Sequence, residues 1–376
     1  MADVNMFAGA GGMAIGLGKA GFSPLQLYEI DPYSCETLRH NSLSATPTLA
    51  CTVHNLNVAE MDWRHVRHSV RLLVAGTPCQ PFSLGGKHKA QHDGRNLFPE
   101  VFRAIRDLRP AAVLLENVRG LLRSTFRSYF EYILRQLECP STKPRAKELW
   151  QSHDQRIRRH QCSVNYSPEY QVAWRLLDAA DFGIPQNRQR VFIVATRSDL
   201  PVYTFPLATH SREALLTAQS SGEYWERRGL PIPSSLPRNG ASREPAQGLR
   251  PWLTVRDALK TLPEPAEKEA ISFNNHWVIP GARTYSGHKG SILDWPSKTV
   301  KAGVHGVPGG ENTLIGDDGR VRYYTLRETA RLQTFPNNHI FVGARMHITR
   351  QIGNAVPCRV AEIVARPLFE LLKKWR

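Results

Sequence analysis

Short apolar runs recur through the first 200 or so residues of the chain: DVNMF, PLQLYEI, LLVAG, AVLLENV, QVAWRLL and RVFIVAT. Each has the length of a buried strand, and longer amphipathic stretches separate several of them. In NLFPEVFRAIRDL, Leu97, Val101, Ile105 and Leu108 recur at the three- and four-residue spacings that place side chains on one helix face. Strands that alternate with helices pair in parallel and are covered on their faces. The pattern therefore predicts an α/β fold built on a mostly parallel sheet.

At 376 residues the chain is long enough for two domains of about 150 residues each, or one large domain with an insertion. The rhythm stops near residue 200. From 201 to 322, stretches such as PIPSSLPRNGASREP and VHGVPGGEN are dense in Pro, Gly, Ser and Arg, which marks a loop-rich segment. It also carries Trp225, Trp252, Trp277 and Trp295, so a small packed domain is expected rather than a linker. Helical patterning resumes in TLRETARLQTF and AVPCRVAEIVARPLFELLKKW. The expected organisation is a first domain over 1–200, a second over 201–322, and a return to the first over 323–376. Within the first domain, residues 141–160 hold six Lys/Arg against two acids and read as a basic surface insertion.

The balance of 49 Lys+Arg against 33 Asp+Glu gives a net charge of +16, which suits a polyanion better than a small neutral substrate. The six cysteines, at 35, 51, 79, 139, 162 and 358, form no CxxC pair and no zinc-type spacing, so neither a disulfide framework nor a metal site is expected. No basic-then-apolar leader opens the chain and no run of about 18 apolar residues occurs in it. A reducing, cytoplasmic location away from membranes is the expectation.

Four short segments carry chemistry. FAGAGGMAIGLG places Gly9, Gly11 and Ala14 in a GxGxxA arrangement after a short strand, and Glu29 follows twenty residues after Gly9. That combination suits a nucleoside cofactor, with the carboxylate taking ribose hydroxyls, but it does not separate NAD from S-adenosylmethionine. In GTPCQPFS, Cys79 follows the strand-like RLLVAG, where open α/β sheets bind ligands. Pro78 and Pro81 restrict the loop's geometry, which aims the thiol, whereas a lone structural cysteine is more often buried. Glu116 ends the run AVLLENV, and a βαβ crossover brings the ends of the two strands to one face of the sheet. In QNRQR, Arg188 and Arg190 are two apart, so on an extended chain they point the same way and can donate to a carbonyl or phosphate.

A nucleophilic thiol, a carboxylic acid and an arginine donor in one adenosine-type pocket suit activation of an aromatic carbon that is not itself nucleophilic. Cytosine C5 is such a carbon. Thiolate addition at C6, with hydrogen bonding at N3 and support at O2, makes C5 enamine-like and able to accept a methyl group from a sulfonium.

These segments together resemble the DNA cytosine-5 methyltransferases of bacterial restriction-modification type, nearly end to end and in the usual unpermuted order. FAGAGG, Glu29, PCQ, ENV and QNRQR match their early motifs, and RETARLQTFP and QIGNAVP match their late ones. The resemblance implies a Rossmann-like, S-adenosylmethionine-dependent methyltransferase fold of mixed, mostly parallel sheet, with a smaller loop-rich target recognition domain between QNRQR and RETARLQTFP. It implies that Cys79 attacks C6, Glu116 engages N3 and the exocyclic amine, Arg190 holds O2 and Arg188 assists nearby. For the cofactor, S-adenosyl-L-methionine, it implies contacts from Phe7, Gly9, Gly11, Gly12, Glu29, Ile30, Asn55, Pro78 and Asn354, with Gln351 and Gly353 helping to close that site. The loop 83–96 resembles the family's mobile loop over flipped DNA, since the target carbon is inaccessible in a stacked duplex. Two departures stand out: Asn5 replaces a usual Asp, and Asn55 replaces the Asp that receives the adenine amino group.

The implied substrate is double-stranded DNA, acted on by a monomer in a bacterial or archaeal cytoplasm, with a cognate restriction endonuclease as a companion. The alternatives are a tRNA cytosine-5 methyltransferase, whose branch carries a CFT tripeptide that this chain lacks, and an NAD-dependent oxidoreductase. The latter leaves the proline-bracketed cysteine and the arginine pair without a role.

Overall fold

The computed structural model describes residues 1–43, 51–66, 69–78, 96–164, 166–233, 248–283, 290–303 and 312–374. The chain divides into two compact units, one of Met1–Leu177, Gln189–Phe205 and Ala361–Arg376, the other of Asp178–Arg188 and Pro206–Val360.

The first unit is built on a seven-stranded sheet. Its strands are β1 (Ala2–Met6), β2 (Ser23–Glu29), β3 (Thr52–Asn55), β4 (Leu72–Gly76), β5 (Ala112–Val118), β6 (Tyr170–Asp178) and β7 (Gln189–Arg197), in the order β3-β2-β1-β4-β5-β7-β6. β1 pairs in parallel with β2 and β4, β2 with β3, and β4 with β5. β7 pairs antiparallel with β5, Val118 standing opposite Arg190. The apolar runs became these strands because their residues are buried on both faces: Leu72 through Ala75 and Ala112 through Leu115 are at most 1% exposed. Helices α1 (Gly12–Ala20), α2 (Pro32–Leu43), α3 (Phe98–Leu108), α4 (Arg127–Glu138) and α5 (Trp150–Gln161) complete the alternation. On α3, Phe98, Val101, Phe102 and Ile105 form the buried stripe.

The order reverses between β1 and β4: the chain builds outward from β1 to β3, then returns to place β4 on the other side of β1. Such a switch point opens a crevice at the carboxyl ends of the strands. Because β7 runs against β5, its first residues, and not its last, lie at that same edge.

Most residues of the basic insertion are exposed, but one face of its helix is packed and two of its six cations are paired with acids. Ile157 and His153 on α5 are buried, and the His153 ring nitrogens meet the Tyr132 hydroxyl and the Thr142 carbonyl, each at 2.9 Å. Burial pushes the His153 pKa down. Arg156 pairs with Glu148, and Arg135 and Arg158 share Asp154.

In the second unit, β8 (His210–Ser211), α6 (Arg212–Ser220), α7 (Glu223–Glu226), β9 (Arg250–Pro251), α8 (Val255–Leu259), β10 (Ser291–Ile292), β11 (Thr313–Ile315), β12 (Val321–Tyr323), α9 (Leu326–Leu332) and α10 (Arg345–Asn354) are all short. Trp225 lies in an apolar cluster with Leu215 and Tyr224, against which Trp252 and Trp295 pack. Trp277 departs from the expectation of four packed tryptophans, at 48% exposed.

The organisation departs from the expected return at 323: residues 323–360 group with the second unit, and only the chain from Ala361 rejoins the first. The cause lies in buried polar anchors. His276 meets Thr325 Oγ1 and the Pro263 carbonyl, while the guanidinium of Arg327 holds the carbonyls of Asn274, Pro336 and His339. These tie α9 to the loop-rich segment. The last helix, α11 (Cys358–Lys374), packs on the first unit through a Phe22–Phe369 ring contact at 5.2 Å and a Tyr203 hydroxyl bond to Val364.

Candidate active site

The carboxyl edge of the sheet gathers most of the residues singled out above. Across it, Asn55 ends β3, Glu29 ends β2, Phe7–Gly12 follow β1, Gly76 ends β4 with Thr77 and Pro78 following, Glu116 lies near the end of β5 and Arg190 near the start of β7. Glu29 stands opposite Asn55, and Gly76 opposite Glu116.

The β1–α1 turn is built around positive φ angles: +58° at Phe7, +54° at Gly9 and +89° at Gly11, the N-cap of α1. A side chain at Gly11 would meet Leu38 at 2.9 Å, whereas one at Gly9 would project into open space with no atom within 4 Å. Gly9 therefore opens the turn for something to approach, and Gly11 closes it onto α2. Phe7, a bulky residue in a left-handed conformation, is the strained member, of the kind found around ligand clamps.

Glu29 fixes the same turn. Its Oε2 accepts the Gly9 N–H at 2.8 Å, and its Oε1 accepts the N–H groups of Ile30 and Asp31, both at 2.9 Å. A carboxylate has about four acceptor directions, so one remains for a hydroxyl. Beside it Ile30 is 64% exposed, an apolar surface at the mouth of the crevice. Asn55 donates Nδ2 to the carbonyls of Glu29 (3.2 Å) and Ile30 (2.9 Å). That commits the amide nitrogen and leaves Oδ1 as the acceptor end. Asn5 is buried within β1.

On the other side of β1, Glu116 is 8% exposed and its Oε1 takes Arg190 Nε at 2.9 Å. A methyl group placed at Gly76 would stand 3.8 Å from Glu116 Oε2 and 3.9 Å from the Phe7 carbonyl, so the carboxyl faces the space over Gly76 beside the β1–α1 turn. The pair can present an acid and a cationic donor to one planar ligand.

Cys79 and the loop 83–95 lie outside the described residues, but the stem leading to the cysteine does not. Asn117, the middle residue of ENV, to which motif reading gave no task of its own, donates Nδ2 to Thr77 Oγ1 at 2.8 Å and to the Thr77 carbonyl at 3.3 Å, and its Oδ1 accepts the Val118 N–H at 2.8 Å. Asn117 and Thr77 are both buried. One side chain thus ties the strand bearing Glu116 to the residue before Pro78. Its sequence signal is its place in ENV, beside Glu116. Replacing Asn117 by Ala is expected to lower kcat about tenfold, with the KM for cofactor near that of the parent, since misplacing a reacting group costs rate rather than cofactor binding. Steady-state kinetics of the catalysed reaction check this.

Arg188 has a different environment from Arg190. Arg188 precedes the strand, which begins at Gln189, and its guanidinium meets backbone carbonyls where that of Arg190 meets Glu116, so the expectation of two arginines acting side by side is not met. Arg188 is 1% exposed and donates to the carbonyls of Val300, Gly353 and Ala355 within the second unit. Asn354, at the end of α10, also belongs to that unit. Among the described residues no group of three or more His, Cys, Asp or Glu side chains is arranged to hold a metal ion.

Comparison with known proteins bears on this site. The family model of C-5 cytosine-specific DNA methylases matches residues 1–139 and 146–370. The chain is 32% identical to the Type II methyltransferase M.NgoMIV of Neisseria gonorrhoeae, over 99% of this chain and 98% of that one. It is 31% identical to the Type II methyltransferase M.Eco47II of Escherichia coli, over 99% of this chain and 79% of that one. A solved structure of a putative prophage-encoded DNA modification methyltransferase from E. coli shares the fold, with a TM-score of 0.60 and 19% identity over 99% of each chain.

Proposed function

Because this chain belongs to the C-5 cytosine-specific DNA methylases, whose activity is methyl transfer to C5 of cytosine, we propose that it modifies one cytosine within a specific double-stranded DNA sequence, as the modification enzyme of a restriction-modification system. Family membership sets aside the NAD-dependent oxidoreductase reading. The observation that most supports the proposed chemistry is the Glu116–Arg190 pair, held at 2.9 Å on the sheet edge beside the stem of the Cys79 loop.

The cofactor of this reading is S-adenosyl-L-methionine, which when bound supplies an electrophilic methyl group. The residues fit it: Gly9 offers open space, Glu29 retains an acceptor direction, Ile30 presents an apolar surface and Asn55 an amide oxygen. Phe7, Gly11, Gly12 and Pro78 shape the same edge.

Against the base, each side chain has a distinct task. The target cytosine leaves the helical stack, because C6 cannot be approached within a duplex. The Cys79 thiolate adds to C6, and the electron pair displaced from the ring is accommodated as Glu116 donates a proton or hydrogen bond at N3. Arg190 donates to O2 and, through its bond to Glu116, holds the carboxyl in place. C5 then carries the electron density needed for methylation. Loss of the C5 proton to water, expulsion of the thiolate and return of the N3 proton to Glu116 restore the aromatic ring and the enzyme. Action as a monomer is part of this reading, and a net charge of +16 suits a polyanionic substrate. The expected companion is an endonuclease that cuts the same, unmodified sequence.

Bisulfite sequencing of DNA from cells expressing this protein alone tests the reading. The expected result is one short motif whose cytosine resists conversion at nearly every occurrence. Genome-wide conversion, with no protected motif in DNA from cells containing folded protein, contradicts it.

A further inference from the structure

We infer that Arg188 is a positioning residue for target recognition and does not touch the reacting base. This rests on the function proposed above and departs from the role that the resemblance gives to the first arginine of QNRQR. The guanidinium is 1% exposed, with Nη1 on the Val300 carbonyl at 3.1 Å and Nη2 on the carbonyls of Gly353 and Ala355 at 2.8 and 2.9 Å. Its backbone N–H reaches Asp178 Oδ1 at 3.1 Å, and its carbonyl accepts the Ala179 N–H at 3.0 Å. So little exposure leaves no face of the fork for a base.

Two further buried side chains extend the clamp. Gln186, fully buried, accepts the Val300 N–H at 2.9 Å and donates to the Leu332 carbonyl (3.0 Å) and Gln333 Oε1 (2.9 Å). Gln333, also fully buried, donates to the carbonyls of Ile352 (2.7 Å) and Ala355 (3.0 Å). A main-chain bridge joins Gln186 to Ser297, and a side chain at Gly353 would overlap the backbone of Lys301 and Ala302. Residues 297–302, part of the segment read as target recognition, are thereby seated against the end of α10 by side chains of the QNR half of the motif. Val300 is gripped at both its N–H and its carbonyl. A segment fixed at both polar groups of one residue has its register set, and register decides which side chains meet which base edges.

The division of labour is then clear. Arg190, two residues on, belongs to the chemistry; Arg188 holds the reading segment in place.

Kinetics of Arg188→Lys and Gln333→Met test the inference, using parent protein already shown to methylate its motif, with active sites counted by adduct formation on 5-fluorocytosine DNA. Lysine keeps the charge but cannot span three carbonyls. Methionine removes a different donor of the same network, and so decides the question if Arg188→Lys fails to fold. The expected outcome for both is a DNA KM raised about tenfold and a cognate-to-mismatch kcat/KM ratio reduced about tenfold, with kcat per active site within about threefold of the parent. A fall in kcat of about a hundredfold in Arg188→Lys, with DNA KM and discrimination unchanged, would place Arg188 on the base and overturn the proposal. Lowered thermal stability with unchanged KM and discrimination in both variants overturns it too, since that is packing alone. A parent protein that incorporates no methyl group under the same conditions is a failure of the functional reading and is seen before either variant is made.

Discussion

Cys79→Ala will lose methyl transfer by at least about 10⁴-fold and will form no covalent product with DNA carrying 5-fluorocytosine in the target motif. Addition at C6 is the only step in the proposed mechanism that makes C5 nucleophilic, so no other side chain can compensate for the missing sulfur. The fluorine at C5 cannot leave as a proton does, and the parent protein therefore stalls as an adduct that survives denaturation. Cofactor-dependent labelling of DNA and a denaturing gel read both effects. DNA binding by the variant should remain near that of the parent, because alanine removes one sulfur from a large interface. Substantial methyl transfer by Cys79→Ala would end the nucleophile assignment.

The second large effect concerns the acid. Glu116→Gln will lower kcat by about 10²–10⁴-fold, the range expected when a positioned proton donor is lost. The amide is nearly isosteric and its oxygen can still accept from Arg190 Nε, so the pair seen at 2.9 Å retains a partner and the fold is spared. What disappears is the proton delivered to N3 as the thiolate adds. Arg190 alone cannot supply it, because a guanidinium does not deprotonate in a protein. Single-turnover rates separate this loss from slow product release. A Glu116→Gln protein within about threefold of the parent would mean that N3 is served by another group.

Much of the fold was legible because the strands are buried on both faces. Runs such as LLVAG and AVLLENV have no polar side to confuse the reading, and α3 shows its stripe directly. The β1–α1 turn was legible for a similar reason, since glycines at 9 and 11 announce the left-handed backbone found there. The direction of β7 was not legible: an apolar strand looks the same run either way, and only pairing with β5 distinguishes the two. The extent of the second unit was missed because what holds residues 323–360 there is polar. A buried Arg327 or Gln333 reads in sequence as an ordinary surface residue, and the backbone carbonyls that satisfy it leave no trace in side-chain identity. The same blindness applied to Arg188, whose partners are three carbonyls more than a hundred residues away. Asn117 was hidden in plain view, adjacent to a residue with a more obvious task.

The chain passes between the two units four times, and the short excursion Asp178–Arg188 belongs with the long one. This restricts how a swap of sequence preference could be engineered. A graft exchanging only residues 206–322 would bring a foreign backbone to Gln186 and Arg188 and require it to match Val300, while Gln333 and the end of α10 stayed native. Any mismatch strands buried donors without acceptors, at a cost of about 1–3 kcal/mol for each group. Chimeras that carry residues 178–188 and 206–360 together keep every one of these bonds within a single donor sequence, and make their joins where the partner sets of the two units separate.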